Sequence, residues 1–211
     1  HLTWLVLNRP DALNAMSLTL IREVNDFFQG LPDDRETRVV VMRGAGRAFC
    51  AGLDLKDPAH AESGGGSSWN RMHGQRRVSE IVMRMRWAPQ PIIAAVHGPA
   101  SGGGFAMALA ADVRIAGESA RMNAAFIRLG LSACDVGVSY FLPRIVGAGR
   151  AAGLMVTGRH FDAAEADRIG MLHAVVPEAK LVDAALEKAH EIAANSEYGV
   201  WMTKRGLWTN L

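Results

Sequence analysis

The chain has 211 residues, 49% of them hydrophobic and 21% charged, with a formal net charge of +2. That is the composition of one globular domain with a substantial core. A charge so near neutral gives no reason to expect nucleic acid or an anionic membrane as partner, and no apolar run reaches the ~18 residues of a membrane span. Two cysteines, Cys50 and Cys134, make no disulfide framework and fit a reducing, cytoplasmic location. Neither has a neighbouring histidine of the kind that makes a catalytic thiol. No secretory leader is legible. The chain opens at His1 in strand-like sequence without an initiator methionine, so a preceding segment is expected.

Residues 2–7 read as a strand and residues 8–11 as a turn. Ser17 is placed to cap a helix over residues 18–29, whose Leu20, Ile21, Val24, Phe27 and Phe28 make an apolar side. Gly30 stands where a helix end favours glycine. Residues 39–42 form a strand, residues 43–47 a turn, and residues 48–55 a short segment around Gly52. Residues 56–68, with Gly64-Gly65-Gly66-Ser67-Ser68, are linker-like and predict a flexible flap. Residues 69–87 predict a helix rich in arginine (Arg71, Arg76, Arg77, Arg84, Arg86), mostly solvated, with some side chains able to meet an anionic ligand.

Ile92 to Val96 is an apolar run suited to a strand covered on both faces, ended by Gly98 and Pro99. Ser101 can cap the helix that follows, whose helix-forming run is residues 105–111. Gly102, Gly103 and Gly104 stand at its start, although each glycine costs a helix roughly 1 kcal/mol against alanine. Two reasons for accepting that cost stay open. Glycines permit tight helix–strand packing. They also leave the unpaired N–H groups of a helix's first turn open to an oxygen that carries or develops negative charge.

Further strands are predicted at residues 113–116, 121–123 and 172–176. Helices are predicted at residues 138–146, interrupted by Pro143, and at residues 151–157. A helix over residues 163–169 has Asp162 as its cap; an amphipathic helix covers residues 180–195, and a last helix starts at residue 196. Strands alternating with helices mean an α/β layout with mainly parallel pairing and a helical C-terminal third. The expected division is residues 1–145 as the core and residues 146–211 as the helical region.

Residues 147–152 match a dinucleotide fingerprint in letters but do not open a βαβ unit, and read as a helix–helix connection. Ser101 lacks the glycine two positions earlier that a nucleophile elbow needs; Pro99 is there. His60, His73, His97, His160, His173 and His190 show no metal-ligand spacing, so no metal is expected. Asp135 sits in an almost uncharged stretch. It is either the N-cap of the helix from Val138 or a partly buried acid, with burial raising its pKa toward the range useful for proton transfer.

A set of segments in fixed order carries a resemblance: Leu7-Asn8-Arg9-Pro10 with Asn14-Ala15; Phe49 to Leu55; Ile93 to Gly98 with Gly102-Gly103-Gly104; Ala111 to Ala116; Leu154 to Gly158; Ala163 to Ala166; and Gly170 to Val176. Together they resemble the crotonase (enoyl-CoA hydratase/isomerase) superfamily over nearly the whole chain. The resemblance implies an α/β fold with a crotonase-like ββα spiral core and a helical C-terminal region. It implies an acyl-CoA thioester substrate and an oxyanion hole made by the N–H groups of Leu53 and Gly103, a donor of this kind typically adding ~3–4 kcal/mol. The family's contacts to coenzyme A fall on Ala12, Ala51, Asp54 and Leu55, with Lys56 near the phosphates. Coenzyme A is then part of the substrate, and no separate cofactor is implied. Homotrimers or homohexamers are the usual assemblies.

The departures matter for mechanism. The two glutamates by which hydratases place and deprotonate water correspond to Ala106 and Phe126, and neither residue can transfer a proton. Asp135 falls where dienoyl-CoA isomerases carry a catalytic aspartate, and where 4-chlorobenzoyl-CoA dehalogenase carries its nucleophile. The leading expectation is isomerase-type chemistry with Asp135 as acid and base. Alternatives are hydrolysis or dehalogenation of an acyl- or aroyl-CoA by nucleophilic Asp135, with Phe126 and Tyr140 lining an aromatic pocket, and a non-catalytic acyl-CoA binder.

Overall fold

The computed structural model describes residues 1–58 and 68–209, without the side chains of residues 68–71 and 135. Most of the expected flap at residues 56–68 therefore lies outside the described residues. The strands are β1 (Leu2–Leu7), β2 (Val39–Gly44), β3 (Ile92–Val96), β4 (Pro99–Ser101), β5 (Val113–Gly117), β6 (Arg121–Asn123), β7 (Phe161–Asp162) and β8 (Ala174–Val176). The helices are α1 (Leu18–Gly30), α2 (Ser68–Trp87), α3 (Gly103–Ala110), α4 (Val138–Val146), α5 (Ala148–Thr157), α6 (Ala163–Arg168), α7 (Leu181–Ala193) and α8 (Glu197–Thr209).

One sheet has the order β1-β2-β3-β5-β8 with every neighbouring pair parallel. Its central strand is buried throughout. Successive side chains of a strand point to opposite faces, and β3 follows that rule. Ile92, Ala94 and Val96 join the large core beneath α1, α2 and α3, while Ile93 and Ala95 join a second core closed by Leu181, Ala185 and Ala189 of α7. A smaller sheet pairs β4 with β6 in parallel and β6 with β7 antiparallel. β7 and β8 thus come from the C-terminal third and join sheets begun earlier in the chain. No helix among the described residues is long and apolar enough to cross a membrane.

Several local expectations change. Ser17 does cap α1, its hydroxyl accepting from the Leu20 N–H at 3.2 Å, and Asp162 caps α6 by accepting from the Glu165 N–H at 2.9 Å. Gly30, however, has φ −78° and continues from α1 into a 3-10 turn rather than adopting the left-handed helix end. Pro143 lies inside α4 without ending it. Ser101 ends β4 and caps nothing: Gly102 precedes α3 with φ 50° and ψ −115°, and no side chain caps the helix. The N-cap of α4 is Gly137, so Asp135 does not hold that position. Asp135 opens a 3-10 turn instead.

Two polar clusters tie the layers together. Asp112, between α3 and β5, accepts from Lys204 at 2.8 Å, Arg86 at 3.1 Å, the Ile92 N–H at 2.8 Å and the Trp208 indole at 3.2 Å. Lys204 is buried and also donates to the carbonyls of Met85 and Gln90. Burial lowers the pKa of Lys204, opposed by Asp112, and brings that of Arg86 to about 10. The arginine-rich helix therefore spends Arg86 on an internal contact, its guanidinium 3.2 Å from the Trp208 ring centroid.

The second cluster centres on Asn14, which is fully buried at φ 55°. Its Nδ2 donates to the carbonyls of Ala45 and Ala48 at 2.9 and 2.7 Å, and its Oδ1 accepts from the Arg9 N–H at 2.8 Å. It fastens residues 9–16 to residues 45–48.

Each cluster makes a stability prediction. Lys204→Met removes the closest cation from Asp112, and breaking a buried pair in this way costs about 3 kcal/mol. Chemical denaturation should show that loss, and an unchanged unfolding free energy would remove the cluster from the fold's supports. Asn14→Ala leaves two buried carbonyls and one N–H unpaired and should cost about 2–4 kcal/mol, measured the same way.

Candidate active site

Residues 48–54 run between two other segments. On one side the Phe49 N–H donates to the His97 carbonyl at 2.8 Å, the Cys50 N–H to the Pro99 carbonyl at 3.0 Å, and the Ser101 N–H to the Cys50 carbonyl at 3.0 Å. On the other side the Ala51 N–H donates to the Leu13 carbonyl at 3.0 Å, the Met16 N–H to the Gly52 carbonyl at 2.7 Å, and the Asp54 N–H to the Met16 carbonyl at 3.2 Å. The last two bonds make a parallel bridge between Met16 and Leu53. In such a bridge the residues flanking Leu53 hold Met16, so the N–H of Leu53 points the other way.

That other way is toward the start of α3. A Cβ built on Gly52 would lie 3.6 Å from the Gly103 nitrogen, so the two backbones are neighbours. Gly103 is the first residue of α3, and its N–H has no intrahelical partner. Among the described residues, neither the Leu53 nor the Gly103 N–H has an acceptor. Both residues line one cavity of about 340 Å³, with Met16, Gly102, Phe126, Leu131 and Val136 in its wall.

The packing explanation of the glycine run holds. A Cβ on Gly104 would collide with the Cys50 carbonyl oxygen, and one on Gly103 would come within 2.7 Å of the Met16 sulfur. Gly103 and Gly104 are therefore packing requirements, while Gly102 is favoured by its φ of 50°. The same close approach sets the backbone of Gly52 beside that of Gly103.

The cavity wall is mostly apolar, with Gln75, Ser101, Asn123, Arg128 and His160 as its polar members. Ala106 is completely buried and Phe126 is 7% exposed. Among the described lining side chains there is no carboxylate; the titratable ones are Arg128 and His160. Asp135 belongs to the turn whose next residue, Val136, lines the cavity with a left-handed φ of 51°, a strained conformation for a β-branched residue. The side chain of Asp135 lies outside the described residues. Cys50 is buried, and burial pushes its thiol up to about 12, which suits packing and not nucleophilic attack.

The residues matched to coenzyme A contacts divide between two spaces. Ala51 and Leu55 line the cavity just described. Ala12, Asp54 and Lys56 line an adjoining cleft of about 800 Å³ with Arg9 and Asp57. Asp54 is paired with Arg9 at 2.8 Å and accepts from the Lys56 N–H at 3.1 Å, so its carboxylate orders the turn after Leu53. Phe126 and Tyr140 do not share a pocket. Tyr140 lines a separate cavity of about 880 Å³ with Arg86, Trp201 and Trp208, and its ring stacks with the Arg144 guanidinium at 3.8 Å. That larger cavity lies over the Asp112 cluster and contains neither Leu53 nor Gly103. Asn123, which sequence reading passed over, and His160, weighed there only as a metal ligand, line the smaller cavity; the register of the second sheet brings them together.

Comparison with known proteins places the chain in a family. The family model for enoyl-CoA hydratase/isomerase matches residues 2–210. A protein of Mycobacterium leprae named probable enoyl-CoA hydratase is 40% identical over 209 residues, covering 98% of this chain and 71% of the relative. The 1,2-epoxyphenylacetyl-CoA isomerase of Escherichia coli K12 is 34% identical over 203 residues, covering 96% of this chain and 77% of the relative. The crystal structure of an enoyl-CoA hydratase from Bacillus anthracis superposes with a TM-score of 0.91 at 36% identity, covering 98% of this chain and 78% of that one. Over its whole described length, then, this chain belongs to the enoyl-CoA hydratase/isomerase family of the crotonase superfamily.

Proposed function

We propose that the chain binds an acyl-CoA thioester, holds the thioester oxygen between the N–H groups of Leu53 and Gly103, and moves a proton along the acyl chain with Asp135 as acid and base. The observation that carries this reading is the pair of acceptor-free N–H groups facing one apolar cavity. An enolate oxygen placed there gains two charge-assisted hydrogen bonds just as its charge develops. Little water competes in an apolar cavity, which strengthens those bonds.

Isomerisation is favoured over two-glutamate hydration by what surrounds that oxygen. Ala106 and Phe126 offer no proton, and hydration needs groups to place and deprotonate a water. A proton shift needs one base, since the group that removes the proton can return it elsewhere. Asp135 is next in sequence to Val136 of the cavity wall, whereas Asp54, between Leu53 and Leu55, is already paired with Arg9. The E. coli relative named as an isomerase supports the same class, and its name makes arylacetyl thioesters natural first substrates to test. The 800 Å³ cleft holding Ala12, Asp54 and Lys56 would take the coenzyme A moiety, with Lys56 toward its phosphates and Ala51 and Leu55 at the junction with the acyl cavity. No separate cofactor enters the scheme. A cytoplasmic homotrimer or homohexamer is the assembly we expect.

The test is turnover of 2-enoyl, 3-enoyl, dienoyl and arylacetyl thioesters of coenzyme A, with products identified by mass spectrometry. Double-bond migration without a mass change is expected, and a product heavier by one water would overturn the isomerase reading. Asp135→Asn should lower kcat by about 10²–10⁴-fold while thioester binding persists; unchanged turnover would eliminate Asp135 as the base. Gly104→Ala must push α3 away from Cys50, separating the two N–H donors. A misplacement of about 1 Å can cost ~10²-fold in rate, so kcat should fall about that far with KM little changed.

A further inference from the structure

We infer that His160 is a second proton-transfer group of the acyl cavity, giving a proton to a chain carbon several bonds beyond the thioester. The inference rests on the acyl-CoA reading above and narrows its substrate class to thioesters with two conjugated double bonds. It starts from the cavity wall, whose polar members among the described residues are Gln75, Ser101, Asn123, Arg128 and His160. Side-chain amides and a serine hydroxyl do not trade protons with water near neutral pH, and a guanidinium does not release one. Histidine is the side-chain type that does so. His160 is also exposed, so a proton that it gives to a ligand is replaced from water.

Register sets its distance from the oxyanion donors. Ser101 of β4 pairs with Asn123 of β6. Met122 of β6 pairs with Phe161 of β7 in the antiparallel sense, so the residue after Met122 lies beside the residue before Phe161. The His160 backbone is therefore two strand spacings, about 10 Å, from Ser101, which immediately precedes the glycine run. The imidazole lines the cavity from that distance and meets the acyl chain beyond the carbons next to the thioester.

His160 is also held on a fixed frame. The Asn123 Nδ2 donates to the Gly158 carbonyl at 3.1 Å. A Cβ on Gly158, whose φ is 57°, would come within 2.5 Å of the Ile127 side chain. Phe161 is buried and meets the Phe105 ring of α3 edge-on at 5.7 Å. The backbone is thus fastened on both sides of His160 and tied to the helix that begins at Gly103. Proton transfer to carbon requires such fixed placement.

The proton balance closes. Asp135 removes a proton from the carbon beside the thioester carbonyl, and the electron pair left behind becomes the enolate held at Leu53 and Gly103. In a 3,5-dienoyl chain that pair moves along the conjugated bonds to carbon 6, which takes the proton of the His160 imidazolium. The product is the 2,4-dienoyl isomer. Asp135 then passes its proton to water and the imidazole takes one from water, so nothing is consumed.

Turnover of a 3,5-dienoyl thioester of coenzyme A in deuterium oxide provides the test, with the label located by NMR. Deuterium at carbon 6 of the product is expected. His160→Gln should lower kcat on this substrate about 10²-fold with KM little changed, and should lower its rate relative to that of a 3-enoyl thioester, whose proton travels only two carbons. Protium at carbon 6, equal dienoyl turnover by His160→Gln and the unaltered chain, or turnover of the 3-enoyl but not the dienoyl thioester each overturns the inference and leaves the reading of Asp135 intact. Turnover of neither thioester overturns that reading and the inference with it.

Discussion

Everything in the candidate site depends on the bridge between Met16 and Leu53. Two hydrogen bonds, from Met16 N–H to the Gly52 carbonyl and from Asp54 N–H to the Met16 carbonyl, occupy one edge of residues 52–54. The other edge is turned to α3, where Gly103 offers a first-turn N–H. Neither donor is created by a side chain. Both are consequences of where three backbone segments are fastened, so residues remote from the cavity, Asn14 and Arg9 among them, govern its geometry. Asn14 holds the segment carrying Met16 against residues 45–48, and Arg9 holds the turn after Leu53 through Asp54.

The glycines sit at the meeting point of fold and chemistry. Helix propensity alone argues against three of them at the head of α3. The Cys50 carbonyl lies where a side chain on Gly104 would be, and the Met16 sulfur lies close to where one on Gly103 would be. Close packing sets the backbones of residues 50–52 against the start of α3. The anion hole proposed above would therefore be pre-organised, its donors fixed by the core and needing no rearrangement as charge develops.

What the sequence disclosed follows from how local each feature is. The strands of the main sheet were legible because β2 and β3 are continuous apolar runs, which a strand buried on both faces requires. Ser17 and Asp162 were legible as caps because a cap is settled within four residues. β4 was not, because Pro99-Ala100-Ser101 is three residues long and is a strand only through its partners β6 and Cys50. Ser101 was therefore misread as a cap. Ser101, Asn123 and His160, which line one cavity, come from three distant segments, and their meeting has no trace in spacing. The pairing of Phe126 with Tyr140 failed for the converse reason: fourteen positions apart along the chain, they lie on opposite sides of the turn at residues 135–137. Leu53 and Gly103 came from family resemblance, and the bond pattern around them supplies a physical reason for that match.

The central claim is that two backbone N–H groups polarise one carbonyl oxygen. Infrared difference spectroscopy of a bound acyl-CoA, labelled with 13C at the thioester carbonyl, reads that polarisation without requiring turnover. The carbonyl stretch should move to lower frequency on binding, and the displacement should shrink when Gly104 is replaced by alanine. A labelled band at the same frequency in free and bound thioester would contradict the oxyanion hole at Leu53 and Gly103.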